Sequence, residues 1–454
     1  MWRTRHAPDA RRQSPTTQPD DVEAGDMVPP EADLDELLEE REAMGKAEVS
    51  AEVPGSPVER IKRYNEDREP ERLQVKYARM RSSAFGFYRG TSHLFNEDWP
   101  SGSLLDLLPA VWSSGDLHLE NFGTYKADNR LAYFDIVDFD DAALAPAGRD
   151  LTRFVSSVIL AGRDLKVGGR ETIALTQIFL RSYAAALHEG KARWVERPTA
   201  RGMVKDLLAE IKSRSRRELL DNRTELHGRA RRLRVDLKHT LPVPEVVRGR
   251  IGAFMKKWAA RQADPEFFQL LDVARRVAGV SSLGRPRFVL LVEGNGSPHR
   301  NFLLDLKISV ESVMASRLQL AQPGWKNHAE RIVAVQKRMQ SVSPALLHPV
   351  LVNRHPYVIQ ELQPTRDRLN LSRWDGKIRR LEKIMDVMGE IVAWAQLRSS
   401  GREGSVITDE LIDLGKRDGW QNEVVAYSRF YASRVESDYK EYCRAYDAGE
   451  FGEK

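Results

Sequence analysis

A chain of 454 residues has room for two or three packed units with a cleft between them. Its single cysteine, Cys443, excludes an internal disulfide, and no apolar run approaches the roughly 20 residues of a membrane-spanning helix. The formal charge of +5 is small against 71 basic and 66 acidic side chains, so net charge makes no case for nucleic acid; a cytoplasmic protein without membrane or nucleic-acid partners is expected.

The chain begins MWRTRHAPDARRQSP, which has arginines but lacks the apolar core of a secretory signal. Residues 1 to 55 are rich in Pro, Asp, Glu, Arg and Ala and poor in aromatics, which predicts a disordered tail with one short helix at ADLDELLEEREAMGK. From Val58 the pattern turns helical, and MRSSAFGFYRGTSHLFNEDW spaces its aromatics as one buried face. Arg89 within it has two readings: a guanidinium that stacks or reaches a phosphate, or a buried tie to an acidic loop.

LLPAVWSSGDLHLENFG then reads as an apolar strand breaking into a polar loop, and RLAYFDIVDFDDA as two short strands around acidic positions. Residues 149 to 262 read as helical and include a basic stretch, IKSRSRRELLDNRTELHGRARRLRVDLKH. Its arginines alternate with Glu, Asp and Leu, so a solvated helical face with internal ion pairs is expected. RRVAGVSSLGRPRFVLLVEGNGSPHRNFLLDLKISVESV predicts a small antiparallel sheet with two glycine turns. HAERIVAVQKRMQSVS follows as an amphipathic helix and HPYVIQEL as a strand; from about Leu369 the chain is helical, ending in a Tyr-rich helix to which no chemistry is assigned. The expected organisation is a tail (1–55), a helical unit bearing the acidic loops (56–262), a small β unit (263–365) and helices that complete the first unit (366–454).

Phosphoryl transfer from a nucleotide needs a carboxylate beside the incoming hydroxyl, oxygen ligands for Mg2+, and cationic or backbone donors around the phosphates. GDLHLEN supplies the first two in one loop. Asp116 and Asn121 stand five apart, the offset at which the carboxylate faces an acceptor while the amide oxygen coordinates metal. Asp138, at a strand end in VDFDD, offers a further oxygen ligand for the same hard cation. The plainer explanation is a solvated acidic turn in which Asn121 and Asp138 serve as turn or cap residues. Against it stand the short connection between the two acidic motifs and the following RDLTRF, whose Asp150 can brace the loop from below. A metallophosphatase, suggested by His118 after the GD pair, needs further blocks of His and Asp, and GNGSPH is a poor substitute. His118 is then a loop-bracing residue.

GDLHLENFG, FDIVDFDDA and RDLTR resemble the catalytic segment of aminoglycoside and choline phosphotransferases of the protein-kinase-like fold. From about Arg60 to the C-terminal helices the chain more closely resembles the bacterial family of "domain of unknown function 2252", through YARMRSSAFGFYRG, GDLHLENFG, GVSSLG, LLDLK, YVIQEL and the helix ending AQLRSS. The resemblance to kinases implies that Asp116 is the catalytic base or hydroxyl-orienting carboxylate and that Asn121 and Asp138 hold Mg2+. Two positions depart: Ser114 stands where small-molecule kinases usually have His, and Gln396 where relatives commonly have His.

In the downstream sheet, a turn containing Gly279, Ser281, Ser282 and Gly284 would bring backbone N–H groups to phosphates, and Lys307 on the third strand would reach them. By analogy with a kinase small lobe, Glu330 of the next helix pairs with Lys307, with Glu311 competing for that role. Gln360, Glu361 and Leu362 then form the hinge that meets adenine. This lobe follows the catalytic loop instead of preceding it, so the expected fold is α+β, two-lobed, protein-kinase-like and circularly permuted. The expected activity is ATP- and Mg2+-dependent phosphoryl transfer to a hydroxyl of a small-molecule acceptor. A nucleotide-binding pseudokinase or scaffold without turnover, and an AMP transferase, are the alternatives.

Overall fold

The computed structural model describes residues 55–100, 102–362 and 368–452. The expected disordered tail and its short helix fall on residues 1–54, outside the described residues. Four short helices come first, α1 (Pro57–Tyr64), α2 (Pro70–Arg81), α3 (Ala84–Gly90) and α4 (Ser92–Glu97). Proline opens α1 and α2, where its missing N–H costs no hydrogen bond, and Ser56 and Glu59 form a capping box on α1.

Strand β1 (Ala110–Ser113) pairs antiparallel with β4 (Ala143–Pro146). Between them in sequence, β2 (Phe122–Lys126) and β3 (Ala132–Ile136) make a hairpin that β5 (Val195–Glu196) extends. The helices α5 (Ala147–Asp164) and α6 (Gly169–Glu189) separate β4 from β5. Thus the two acidic motifs lie at the mouths of short strands backed by long helices.

After α7 (Gly202–Ser213) and α8 (Arg216–Arg223) the chain departs from the expected helical reading. Residues 224–233 form a hairpin of β6 (Thr224–His227) and β7 (Ala230–Leu233). On β7 the buried Arg231 and Leu233 alternate with the exposed Ala230 and Arg232, a period of two that the interleaved charges disguised as helical. Gly228 turns the hairpin at a φ of +61°, a conformation that suits glycine.

Next come β8 (Thr240–Leu241), α9 (Glu245–Ala259), β9 (Leu270–Arg276), β10 (Arg287–Val292), β11 (Phe302–Ile308), α10 (His328–Met339), β12 (His348–Val352) and β13 (His355–Glu361). The strands form one antiparallel sheet in the order β12-β13-β11-β10-β9-β8. Alternation divides its faces. Phe288, Leu290, Leu304, Leu306 and Ile359 bury one face in a core shared with Ile251 and Met255 of α9. On the other face Val289, Leu291, Leu303 and Leu362 make a second core, while Asp305 and Lys307 continue the same row of β11 towards the acidic loops.

The chain ends in α11 (Ile378–Ser399), α12 (Thr408–Lys416) and α13 (Trp420–Asp447), which join α5 and α6 in the largest core. The architecture is thus mixed α+β, with several antiparallel sheets and thirteen α-helices among the described residues. None of those helices is long and apolar enough to cross a membrane.

The packing of α11 on α6 brings backbone against backbone: a Cβ on Gly389 would lie 2.3 Å from the Phe179 carbonyl oxygen. Gly389→Ala is therefore expected to lower the melting temperature by roughly 1–4 °C, because overpacking at about 1–3 kcal/mol outweighs the gain in helix propensity. An unchanged melt would show that the two helices separate without cost.

Candidate functional site

The loop after β1 is shaped by one close approach and one buried acceptor. Gly115 adopts a φ of +86°, and a Cβ there would lie 1.9 Å from the Asp141 carbonyl oxygen. Only glycine lets residues 114–121 sit directly on the 138–142 loop. Beneath them Asp150, 1% exposed in the first turn of α5, accepts the Ser114 N–H (2.8 Å) and O–H (3.1 Å) and the Gly115 N–H (3.2 Å). The Ser157 hydroxyl accepts the Leu119 N–H at 3.1 Å, and Nδ1 of His118 accepts the Glu120 N–H at 3.1 Å. Burial, helped by Arg89 and Arg153, keeps the His118 imidazole titrating well below its ordinary range, so it braces the loop as a neutral acceptor.

Asn121 is fixed at both ends of its residue. Its carbonyl accepts the Val137 N–H at 2.9 Å, and its side-chain Nδ2 donates to the Asp116 carbonyl at 2.5 Å. With the nitrogen committed, Oδ1 is the end that offers lone pairs to a cation. The Asp116 carboxylate accepts from Arg153 at 2.9 Å, and that guanidinium lies 3.6 Å from the centre of the Tyr88 ring. Burial pushes the Asp116 carboxyl up to about 7 despite the pull of Arg153, and the charges of Asp141 and Asp138 add to the rise.

Across from this loop, the Lys307 ammonium lies 3.7 Å from Asp138 and in closer contact with Asp140. Burial alone would raise the Asp138 carboxyl, but Lys307, with Arg368 and Arg287, draws it below its ordinary value. The loop itself is held by α10. Arg331 donates to the carbonyls of Asp140 (2.8 Å), Val310 (2.9 Å) and Ala142, while Asp141 accepts the Val313 N–H at 2.9 Å.

The sheet side is equally charged. Asp305, two residues before Lys307, sits between Arg276 (2.8 Å) and Arg287 (2.5 Å), and the two guanidinium groups overcome burial to hold its carboxyl well below the usual range. The turn between β9 and β10 contains Gly279 and Gly284, both at positive φ. Its carbonyls face the N-terminal helices: Arg79 donates to Gly279 at 2.6 Å, and Arg68 to Ser281 (2.5 Å) and Leu283 (2.8 Å). Gly279, Ser281 and Ser282 line one cleft with Asp116, Asn121, Asp138, Lys307 and Gln360, around a cavity of about 130 Å³.

Arg89 lines that cleft and pairs with Glu120 of the acidic loop at 2.7 Å, so it is a tie to that loop. Gly284 stands outside the lining; a Cβ there would lie 2.7 Å from that of Arg68, so its glycine serves packing. Glu330 does not meet Lys307, whose ion-pair partners among the described residues are Asp138 and Asp140, and neither does Glu311. The reason is position: Asn327 caps α10, leaving Glu330 in its first turn, and the row that faces the cleft is Ile332 and Gln336, one turn apart.

The hinge expectation also changes. The Glu361 N–H donates to the Ala345 carbonyl (3.1 Å) and the Leu362 N–H to that of Leu303 (2.8 Å), so main-chain hydrogen bonds have used both donors. Gln360 instead reaches the cleft through its side chain, whose Oε1 is buried with no hydrogen-bond partner among the described residues. Gln396 lies in the helical core, accepting the Tyr183 hydroxyl at 2.5 Å, and is not part of the cleft wall.

Sequence reasoning missed Arg153, Asp140, Arg331 and the Asp305 triad. Arg153 follows Asp150 by three in RDLTR, a helical spacing that places both beneath the same loop, and Asp140 repeats Asp138 at period two. Arg331 carried no local signal. No group of three or more His, Cys, Asp or Glu among the described residues forms a ready metal cage, so a cation here would take few protein ligands.

Replacing Asp150 with Ala leaves three donors at the loop's base without their acceptor. Asp150→Ala is expected to destabilise the protein by about 3 kcal/mol in denaturant titration, and a loss under about 1 kcal/mol would show that water replaces the carboxylate. Searches of curated proteins and of solved structures find nothing similar to this chain. The family model described as "Uncharacterized protein conserved in bacteria (DUF2252)" matches residues 68–445, a span that includes every residue of the cleft wall, and the chain belongs to that family.

Proposed function

We propose that this protein is a circularly permuted, kinase-like phosphotransferase that moves the γ-phosphoryl group of ATP to a hydroxyl of a small molecule. The observation that carries the reading is Lys307 on β11 meeting Asp138 at 3.7 Å across the cleft that also holds Asp116 and Asn121. The sequence of glycine turn, strand, lysine strand, helix and paired strands supports it, as that is the element order of a kinase small lobe.

Asp116 is the group beside the acceptor hydroxyl, and a carboxyl titrating near neutrality is well matched to taking its proton. Oδ1 of Asn121 and the Asp138 carboxylate would hold Mg2+. This donor set fits a cation that takes one or two carboxylates and completes its octahedron with phosphates and water. When bound, the cation would neutralise charge on the transferring phosphoryl group. Lys307 and the turn at Gly279, Ser281 and Ser282 face the phosphates, and Gln360 Oε1, without a partner among the described residues, accepts an N–H of the base.

One observation favours nucleotidyl transfer as a second reading. Arg276 and Arg287 flank Asp305 on the sheet wall of the cleft, where a reversed nucleotide would place its terminal phosphates against guanidinium groups.

Mg·ATP at about 100 times its Kd should stabilise the protein by about 2.7 kcal/mol, and Asp138→Ala should abolish the shift; melting that no nucleotide changes would overturn both readings. Incubation with γ-labelled and α-labelled ATP and a metabolite extract separates them by which label is transferred. Below about pH 7 the Asp116 carboxyl is protonated and cannot accept the hydroxyl proton, so kcat/KM should rise with pH through about 7. Asp116→Asn should lower the rate by about 10²- to 10⁴-fold and flatten that limb.

A further inference from the structure

A second and larger cavity, of about 1050 Å³, opens between the β2–β3 hairpin, α7, the start of α8 and the end of β13. Seven Lys and Arg side chains line it, against the carboxylates of Glu196 and Glu361 alone. Those two are already engaged. Glu361 pairs with Arg130 (2.7 Å) and Arg216 (3.4 Å), whose guanidinium groups both lie over the Phe302 ring, and Glu196 accepts the Trp194 indole N–H at 3.1 Å.

Lys126, Arg197, Lys205 and Lys212 line the same wall with no ion-pair partner among the described residues. Burial, and then the charge of Arg130, push the Lys126 ammonium below its ordinary range even with Glu361 opposing. The cations crowd one another more than the protein's own carboxylates offset.

The rest of the basic stretch behaves differently. Beyond the cavity Asp221 pairs with Arg231 at 2.6 Å and with Arg217 at 3.8 Å, and Arg234 pairs with Glu225 at 3.6 Å. Internal pairing, expected for the whole segment, continues into the cavity at Arg214, which meets Glu210 at 3.5 Å, and leaves Lys212 beside Lys126, Arg197 and Lys205 from outside the segment. Leu131, Leu208, Ile211 and Leu219 give the cavity an apolar lining as well. A concave wall with excess positive charge and an apolar lining suits an anion with an apolar body.

We propose that this cavity is a binding site for a small organic anion, a phosphate or carboxylate carried on an apolar or aromatic body. The site adjoins the cleft, since Thr124 lines both, but its existence does not depend on the phosphotransferase reading.

The test uses the full chain with 1-naphthyl phosphate, 1-naphthoate and neutral 1-naphthol, titrated calorimetrically at low and at physiological salt. At least one anion should bind 10-fold or more tightly than 1-naphthol, weaken as salt rises, and reveal by the tighter of the two whether phosphate or carboxylate is preferred. Lys205→Glu combined with Lys212→Glu, both exposed on α7, should weaken that anion at least 10-fold while leaving the thermal unfolding unchanged and any shift by Mg·ATP intact. Equal affinity for 1-naphthol, or a double variant that folds normally and binds the anion as the unaltered protein does, would overturn the proposal.

Discussion

The ammonium of Lys307 lies between Asp138 and Asp140, and the geometry of the cleft depends on that junction. Its partners come from separate regions: the lysine from a strand of the six-stranded sheet, the carboxylates from the loop between β3 and β4. The lysine is largely removed from water while about a third of each carboxylate still meets it, so losing one partner costs more than the ~1 kcal/mol of a surface pair and less than the ~3–5 kcal/mol of a fully buried one. The junction therefore resists both separation of the sheet and rearrangement of the acidic loop. Arg331 and Gly115 act on the same loop from opposite sides, one by drawing in its carbonyls and the other by giving way to the Asp141 backbone.

Much of this was legible in the chain. The glycine turns, the lysine strand and the acidic loop were readable because each is local: φ preference, period-two alternation and a five-residue offset need no knowledge of the fold. The brace by Asp150 was readable for the same reason, standing at the start of an apolar helix that follows the loop. What escaped were choices made by distant partners. Arg331 looked like any arginine on an amphipathic helix, since the carbonyls it binds lie far away in sequence. Glu330 was a reasonable partner for Lys307 by element order, yet one turn of α10 turned its place over to Gln336. The 224–233 hairpin was misread because basic and acidic residues interleaved with Leu through the whole stretch satisfy a helical pattern of charges as readily as a strand's.

The hinge shows how backbone bookkeeping limits analogy. Residues placed by order alone as donors to a base are, at Glu361 and Leu362, already spent on the carbonyls of Ala345 and Leu303. A buried N–H cannot serve a ligand and a ladder at once. On the proposed reading, recognition at this edge of the cleft would pass from the main chain to the Gln360 amide, whose buried oxygen lacks a partner among the described residues.

The anchoring of the glycine turn bears on how the cleft opens. Four hydrogen bonds, from Arg79, twice from Arg68 and from the Glu69 N–H, tie its carbonyls to α2 and the segment before it. At about 1 kcal/mol net each, and more for those from guanidinium groups, they make independent lifting of the turn costly. The opposite edge, near Gln360, borders the large basic cavity. On the proposed phosphotransferase reading, a cleft that admits a nucleotide would widen at that edge, where Thr124 separates it from the cavity, with the turn still held.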